Sequence, residues 1–157
     1  MCVLRVTGQH FDPDSFLAGS GLTADKVFHA GEPRFSSRPA GERFDESGLR
    51  ADVSHASWAS LSGQVSDAIR YLTDNEEVLA RLRSTPGIDD MRLDFPVDLR
   101  IDRKKVMAQF DYFPPGLVSR AGALGFGIEL SIYPPDLEQL AWATRDGQLR
   151  NETDPTA

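Results

Sequence analysis

The pattern that most constrains this chain lies between Val106 and Tyr133. An alternating segment, Val106 to Tyr112, passes through Phe113-Pro114-Pro115 into a short amphipathic stretch, and Gly125 then introduces a second alternating segment, Gly127 to Tyr133. Alternation places successive side chains on opposite faces of a strand. Proline fits the first turn of a helix and glycine ends one, so Leu117, Val118, Ala121 and Leu124 form the apolar stripe of a short helix. The segment reads as strand, helix and strand on one sheet, and its residues are structural punctuation rather than chemistry.

The preceding sequence supplies what packs beside it. Cys2, Leu4 and Val6 alternate with Val3, Arg5 and Thr7 in a strand that ends at Gly8. Asp12 or Asp14 caps a brief helix over Ser15 to Ala18, with Pro13 in its first turn and Gly19 and Gly21 after it. Lys26 to Ala30 reads as a second strand, and Ala51 to Ser60 as a third in which Trp58 anchors the core. Val65, Ala68, Ile69 and Leu72 repeat at helical spacing, and Val78, Leu79 and Leu82 resume it. Asp74 with Glu77 resembles a capping box, so this is one long helix or two abutting ones, ended by Pro86-Gly87.

Met91, Leu93, Phe95, Val97, Leu99 and Ile101 then share one face of a long strand whose other face is polar, the pattern of an antiparallel strand wet on one side. Pro96 has no amide to donate, which puts that part of the strand at an edge or a bulge. With a turn through Arg103 to Lys105, this strand and Val106 to Tyr112 read as a hairpin. Met91, Leu93, Phe95, Phe110, Ile128, Leu130 and Ile132 are then expected to be buried together.

The expected order is strand-helix-strand-strand-helix-strand-strand-helix-strand. It predicts an α+β two-layer sandwich, a mainly antiparallel sheet with helices packed on one face. At 157 residues the chain is large enough to bury a core without disulfides or metals. One domain is expected over residues 1–134, followed over 135–157 by a short helix, Leu137 to Ala143, and a disordered tail.

Charge narrows the partners. With 24 Asp and Glu against 17 Lys and Arg, the formal charge is −7, and no local basic face offsets it, which argues against nucleic-acid binding. No apolar run approaches the ~20 residues of a membrane span. Met1 to Thr7 is short and charged at Arg5, unlike a signal peptide. The single cysteine, Cys2, offers no disulfide framework, so the chain reads as cytoplasmic, and the sequon at Asn151-Glu-Thr153 as accidental.

Catalytic grammar is sparse. His10, His29 and His55 sit in three separate segments without metal-ligand spacing, no serine lies in a GxSxG elbow, and Cys2 has no base beside it. Gly122, Gly125 and Gly127 mark a helix end leading into a strand, the reverse of the strand-to-helix order of a phosphate loop. No catalytic residue, metal or cofactor is expected. An enzyme or small-ligand site, if there is one, would use His10, Asp12, His29 and His55 in a cleft beside the sheet.

From Gly31 to Gly48 periodicity disappears for longer than an ordinary connection, which makes this either a functional loop or a poorly ordered one. Arg34, Arg38, Arg43 and, just beyond this stretch, Arg50 are interleaved with Glu32, Glu42, Asp45 and Glu46 around Phe35 and Phe44. A solvated loop accounts for that composition. As a recognition element, it would bind another protein through Arg34, Phe35, Arg38, Arg43 and Phe44, with Trp142 a further exposed aromatic.

Several of these segments together resemble the bacterial family known as domain of unknown function 4279. The resemblance rests on Gly8-x-x-Phe11-Asp12-Pro13-Asp14, Lys26-Val-Phe-His-Ala-Gly31-Glu32, Trp58, the helix around Ile69 and Leu72, and Leu124-Gly125-x-x-Ile128-Glu-Leu-Ser-Ile-Tyr133, and it spans residues 3 to 134. It implies a small stand-alone cytosolic domain of unestablished activity, associated with toxin immunity, and it brings no catalytic residue with it. The chain departs from the family pattern at Ser20-Gly21 and Ala24, where a Leu-Gly pair and a proline are expected.

Overall fold

The computed structural model describes residues 1–101 and 105–134. Its elements are β1 (Val3–Gly8), α1 (Pro13–Ser20), β2 (Lys26–Phe28), β3 (Ser47–Asp52), α2 (Leu61–Asp74), α3 (Glu76–Arg83), β4 (Asp90–Asp98), α4 (Pro115–Ala123) and β5 (Gly127–Tyr133). They build the expected α+β class as one sheet in the order β2-β3-β1-β4-β5. The pairs β2–β3, β3–β1 and β1–β4 are antiparallel, and β4–β5 is parallel.

Register separates the two faces. Residues paired across a ladder point to the same side. Leu4 lies between Ala51 and Leu93, and Val6 between Leu49 and Met91, while Leu93, Phe95 and Val97 pair with Ile128, Leu130 and Ile132. This is the face the helices cover. Leu4, Val6, Leu49, Leu93 and Phe95 are buried with Val65, Ala68 and Leu72 of α2, Leu79 and Leu82 of α3, and Leu117 and Ala121 of α4. At about 25 cal/mol per Å² of apolar area removed from water, such leucines and phenylalanines each contribute about 1.5–3 kcal/mol.

Local chemistry fixes the ends of these elements. Asp12 caps α1, accepting hydrogen bonds from the Ser15 amide at 3.0 Å and the Ser15 hydroxyl at 2.6 Å. Gly21, at φ 73°, ends that helix in the left-handed region where a side chain is costly. Where β1 ends, Gly8 lies so close to the turn before β4 that a Cβ would stand 1.9 Å from the Gly87 carbonyl oxygen.

Several local expectations are corrected. No strand forms over Val106 to Tyr112: β5 takes one side of β4 over Arg92–Asp98, and on the other side β1 pairs as far as Asp94 and the Asp98 amide donates to the Trp58 carbonyl at 3.4 Å. Phe110 is consequently 89 % exposed rather than buried, and Ile132, at the far end of β5 beyond the helix layer, is 51 % exposed. The third strand is Ser47–Asp52 rather than Ala51 to Ser60. The amides of Val53 and Ser54 both donate to the Cys2 carbonyl, at 2.9 and 3.1 Å, where β1 runs out, so Trp58 is buried in a connection and not in a strand.

The long helical run is two abutting helices that meet at Asn75, whose side-chain amide donates to the Tyr71 carbonyl at 2.9 Å. Asp74 and Glu77 form no capping box, because Asn75 is the residue at the N-cap of α3. β4 is an interior strand, but at Pro96 it is locally an edge on the β1 side, as the missing amide of that proline predicts. Pro96 sits in β4 two positions beyond Asp94, the last residue paired with Val3 of β1, so its missing amide costs that ladder nothing. The stretches Arg103 to Lys105 and Leu137 to Ala143, the tail and Trp142 lie partly or wholly outside the described residues.

Candidate binding cleft

The face of the sheet opposite the helices carries an unusual register. Lys26 pairs with Arg50, Arg50 with Arg5, and Arg5 with Arg92, which aligns four cations in one row across β2, β3, β1 and β4. Like charges placed directly opposite one another destabilise a sheet. Carboxylates from neighbouring rows offset the cost. Arg5 reaches Asp94 at 3.3 Å, Arg50 reaches Asp52 at 3.9 Å, and Arg92 is held by Asp90 at 2.6 Å and Glu129 at 3.3 Å. Asp94 is almost fully buried and also accepts from the Ser131 hydroxyl at 2.6 Å.

The connection between β2 and β3 borders this face and is better ordered than its composition predicts. The Gly31 amide donates to the Phe44 carbonyl at 2.7 Å, the Phe44 amide to Glu32 at 2.9 Å, and the Arg34 amide to Glu42 at 2.9 Å. The loop therefore continues the β2–β3 pairing as a hairpin, with a bridge between Pro33 and Arg43. Its base is aromatic: Phe28 and Phe44 stack at 4.3 Å. Gly48 makes room for this, since a Cβ there would lie 2.6 Å from the Phe28 ring.

Between hairpin and sheet lies a cleft of about 510 Å³. Arg5, Lys26, Arg34 and Arg50 line it with Asp25 and Asp94, and Phe35, Pro96, Trp58 and Tyr133 supply apolar walls. Trp58 and Tyr133 stack at 4.8 Å and close one end. A second depression, about 470 Å³, is lined by His10, Asp12, Ser15, Phe16 and Arg81 at the end of α1, but no comparable set of charges converges there.

The sequence-expected residues divide accordingly. Arg34, Phe35, Arg38 and Arg43 are exposed on the hairpin, whereas Phe44 is half-buried and serves as its anchor. Only Arg34 and Phe35 face the cleft. Arg43 is spent internally, its guanidinium donating to the carbonyls of Gly31 and Pro39.

Of the four residues proposed for an alternative site, His10 and Asp12 line that second depression and His29 lies at the same end of the sheet, but His55 does not join them. His10 and Asp12 follow the Gly8 end of β1, and His29 follows β2 at the same end, but β3 runs antiparallel to β1 and delivers His55 to the opposite end. His29 instead bridges Asp14, 2.7 Å from its Nε2, and Glu32, 3.3 Å from its Nδ1. These carboxylates hold its pKa above the ordinary histidine value, with the Asp14 hydrogen bond the largest cause. Asp12 is held below the ordinary carboxylate range by the Ser15 hydroxyl it binds. Burial pushes the Cys2 thiol far up, which makes it a poor nucleophile.

Among the described residues no group of three or more His, Cys, Asp or Glu is placed to hold a metal ion, and no helix is long and apolar enough to cross a membrane. Sequence reasoning counted Arg50 only with the arginine-rich loop and did not single out Arg5 or Lys26 for a site, because each is an ordinary solvent-facing strand residue until register aligns it with the others. Comparison with protein-family models, with curated proteins and with solved structures finds no match.

Proposed function

We propose that this chain is a non-enzymatic protein-recognition module of the cytoplasm, akin to domain of unknown function 4279 and of the toxin-immunity type, which engages its partner through the β2–β3 hairpin. One observation carries the reading. The hairpin is fixed at its base by ladder hydrogen bonds and the Phe28–Phe44 stack, yet it leaves Phe35 60 % exposed between Arg34 and Arg38. An aromatic ring flanked by arginines on a preorganised loop is the composition of an interface hot spot, because little conformational entropy remains to be lost on binding. The net charge of −7 favours a basic partner, whose approach it accelerates.

The test is affinity capture from the native cell with wild-type protein and with a Phe35→Ala, Arg38→Glu variant, followed by titration of the purified partner. Loss of the hot-spot ring is expected to weaken binding by about 2 kcal/mol, with unfolding midpoints unchanged. Equal affinity of both proteins for the same partner would place the interface elsewhere.

A further inference from the structure

The cleft on the open sheet face holds a charge imbalance that folding does not require. Its two carboxylates are already engaged: Asp25 accepts from the Asp52 amide, and Asp94 from Arg5 and the Ser131 hydroxyl. Of the four cations that line it, Arg5 is held by Asp94 and Arg50 reaches Asp52 at 3.9 Å, which leaves Lys26 and Arg34. Lys26 Nζ and the Arg34 guanidinium carbon lie 5.2 and 5.7 Å from the centre of one ring, that of Phe44. Phe28 stacks on the same ring, at 4.3 Å between centroids. The Arg34 Nε donates to the Arg43 carbonyl at 3.2 Å, and its guanidinium also reaches Asp45 at 3.6 Å, but that carboxylate is 90 % exposed, where pairing is weak. For Lys26 no ion pair is present among the described residues.

Two like charges gathered beside a cavity repel one another unless a counter-charge enters. The donors also suit one small anion, a guanidinium fork on one side and a point-charge ammonium on the other. Phe35 and Pro96 give the same cavity an apolar wall.

We propose that this cleft binds a small ligand bearing a single anionic group, carboxylate or phosphate, between Lys26, Arg34 and Arg50, with a flat apolar body against Phe35. A polyanion is disfavoured, since whatever extends beyond the cleft meets a protein of net charge −7. The site goes beyond the partner contact proposed above and is separable from it, because Arg38 lies on the hairpin but does not line the cleft.

Benzoate, acetate and inorganic phosphate titrated into the full chain, followed by NMR at the Arg34 and Arg50 guanidinium protons and the Trp58 indole, test the proposal. Saturable binding of benzoate, tighter than acetate, is the result expected if the ligand is an aryl carboxylate. Phosphate saturating the same signals, with benzoate no better than acetate, would support the anion site and assign the ligand to the phosphate class.

In either case Lys26→Ala and Arg34→Gln should each weaken binding about tenfold, the loss of one charge-assisted hydrogen bond, and Arg38→Gln should not. Arg34 is in the hairpin and exposed, so Arg34→Gln keeps the test valid if Lys26→Ala disturbs β2. Absence of saturable shifts with all three probes, or unchanged affinity in Arg34→Gln, would overturn the site. Arg38→Glu losing partner capture while retaining the anion would separate the two proposals.

Discussion

The β2–β3 hairpin and the segment between β4 and α4 are both long connections that mix arginine, aspartate and aromatic residues, and they end in opposite conditions. In the hairpin, backbone amides and carbonyls meet one another, and Phe44 is packed on Phe28. In the other segment Val106, Met107, Phe110 and Tyr112 are all exposed, Met107 at 92 %. The difference lies in what the flanking strands offer. β2 and β3 are antiparallel neighbours, so their ladder can run on into the loop.

Among the described residues β4 shows no such continuation. Its last rung among them is the Leu99 amide on the Tyr133 carbonyl, and beyond it the Arg100 amide is held by the Gln109 side chain and its guanidinium by Asp111 and, at 3.4 Å, by the Phe110 carbonyl. Of the aromatic residues in that segment, only Phe113 returns to the core, tilted against Phe95 at 5.1 Å.

The comparison breaks most decisively at Gly48. If its missing side chain is what admits the Phe28 ring and hence the Phe44 anchor, Gly48→Ala should lower stability by about 2–3 kcal/mol, since the added methyl meets the Val6 carbonyl oxygen as well as the ring. Urea unfolding measures this. A change below about 0.5 kcal/mol would mean that the hairpin is held by its backbone bonds alone.

A smaller effect tests how the hairpin is tied to α1. The folded-state pKa of His29 is raised above 6.5 by Asp14 and Glu32. A raised pKa gives stabilisation that is complete below the unfolded value and is lost as pH rises through the folded one. The gap in melting temperature between the wild type and His29→Gln should therefore be wider at about pH 5.5 than at about pH 8.5. A gap independent of pH would leave the bridge without a stabilising role. The smallest effect belongs to the other connection, where Phe110→Ser should shift the unfolding free energy by no more than about 0.5 kcal/mol. Marked destabilisation would show that Phe110 has a buried partner after all.

Much of the fold was legible. The alternation of Leu4 and Val6, of Leu93, Phe95 and Val97, and of Ile128 and Leu130 identified three strands and their inward faces, and Asp12, Pro13 and Gly21 marked the first helix. Val106 to Tyr112 alternates as cleanly and forms no strand, because period two reports only that a segment could show different faces to core and water. The candidate site was half legible. Phe35 and Arg34 stood out by composition, but the cleft they border is completed by Arg5, Lys26 and Arg50, which are far apart in the chain.

Taken alone, the sequence determined the class of the molecule: which segments carry an apolar face, where helices start and stop, and that the surface as a whole is acidic. These follow from properties of single residues and their neighbours along the chain, such as burial preference, fixed φ and capping. Only the tertiary structure decided that β5 rather than Val106 to Tyr112 would take the edge of β4, and that four cations on separate strands would fall into one row. Both are matters of pairing and register, set by competition among distant segments for the same backbone donors and acceptors.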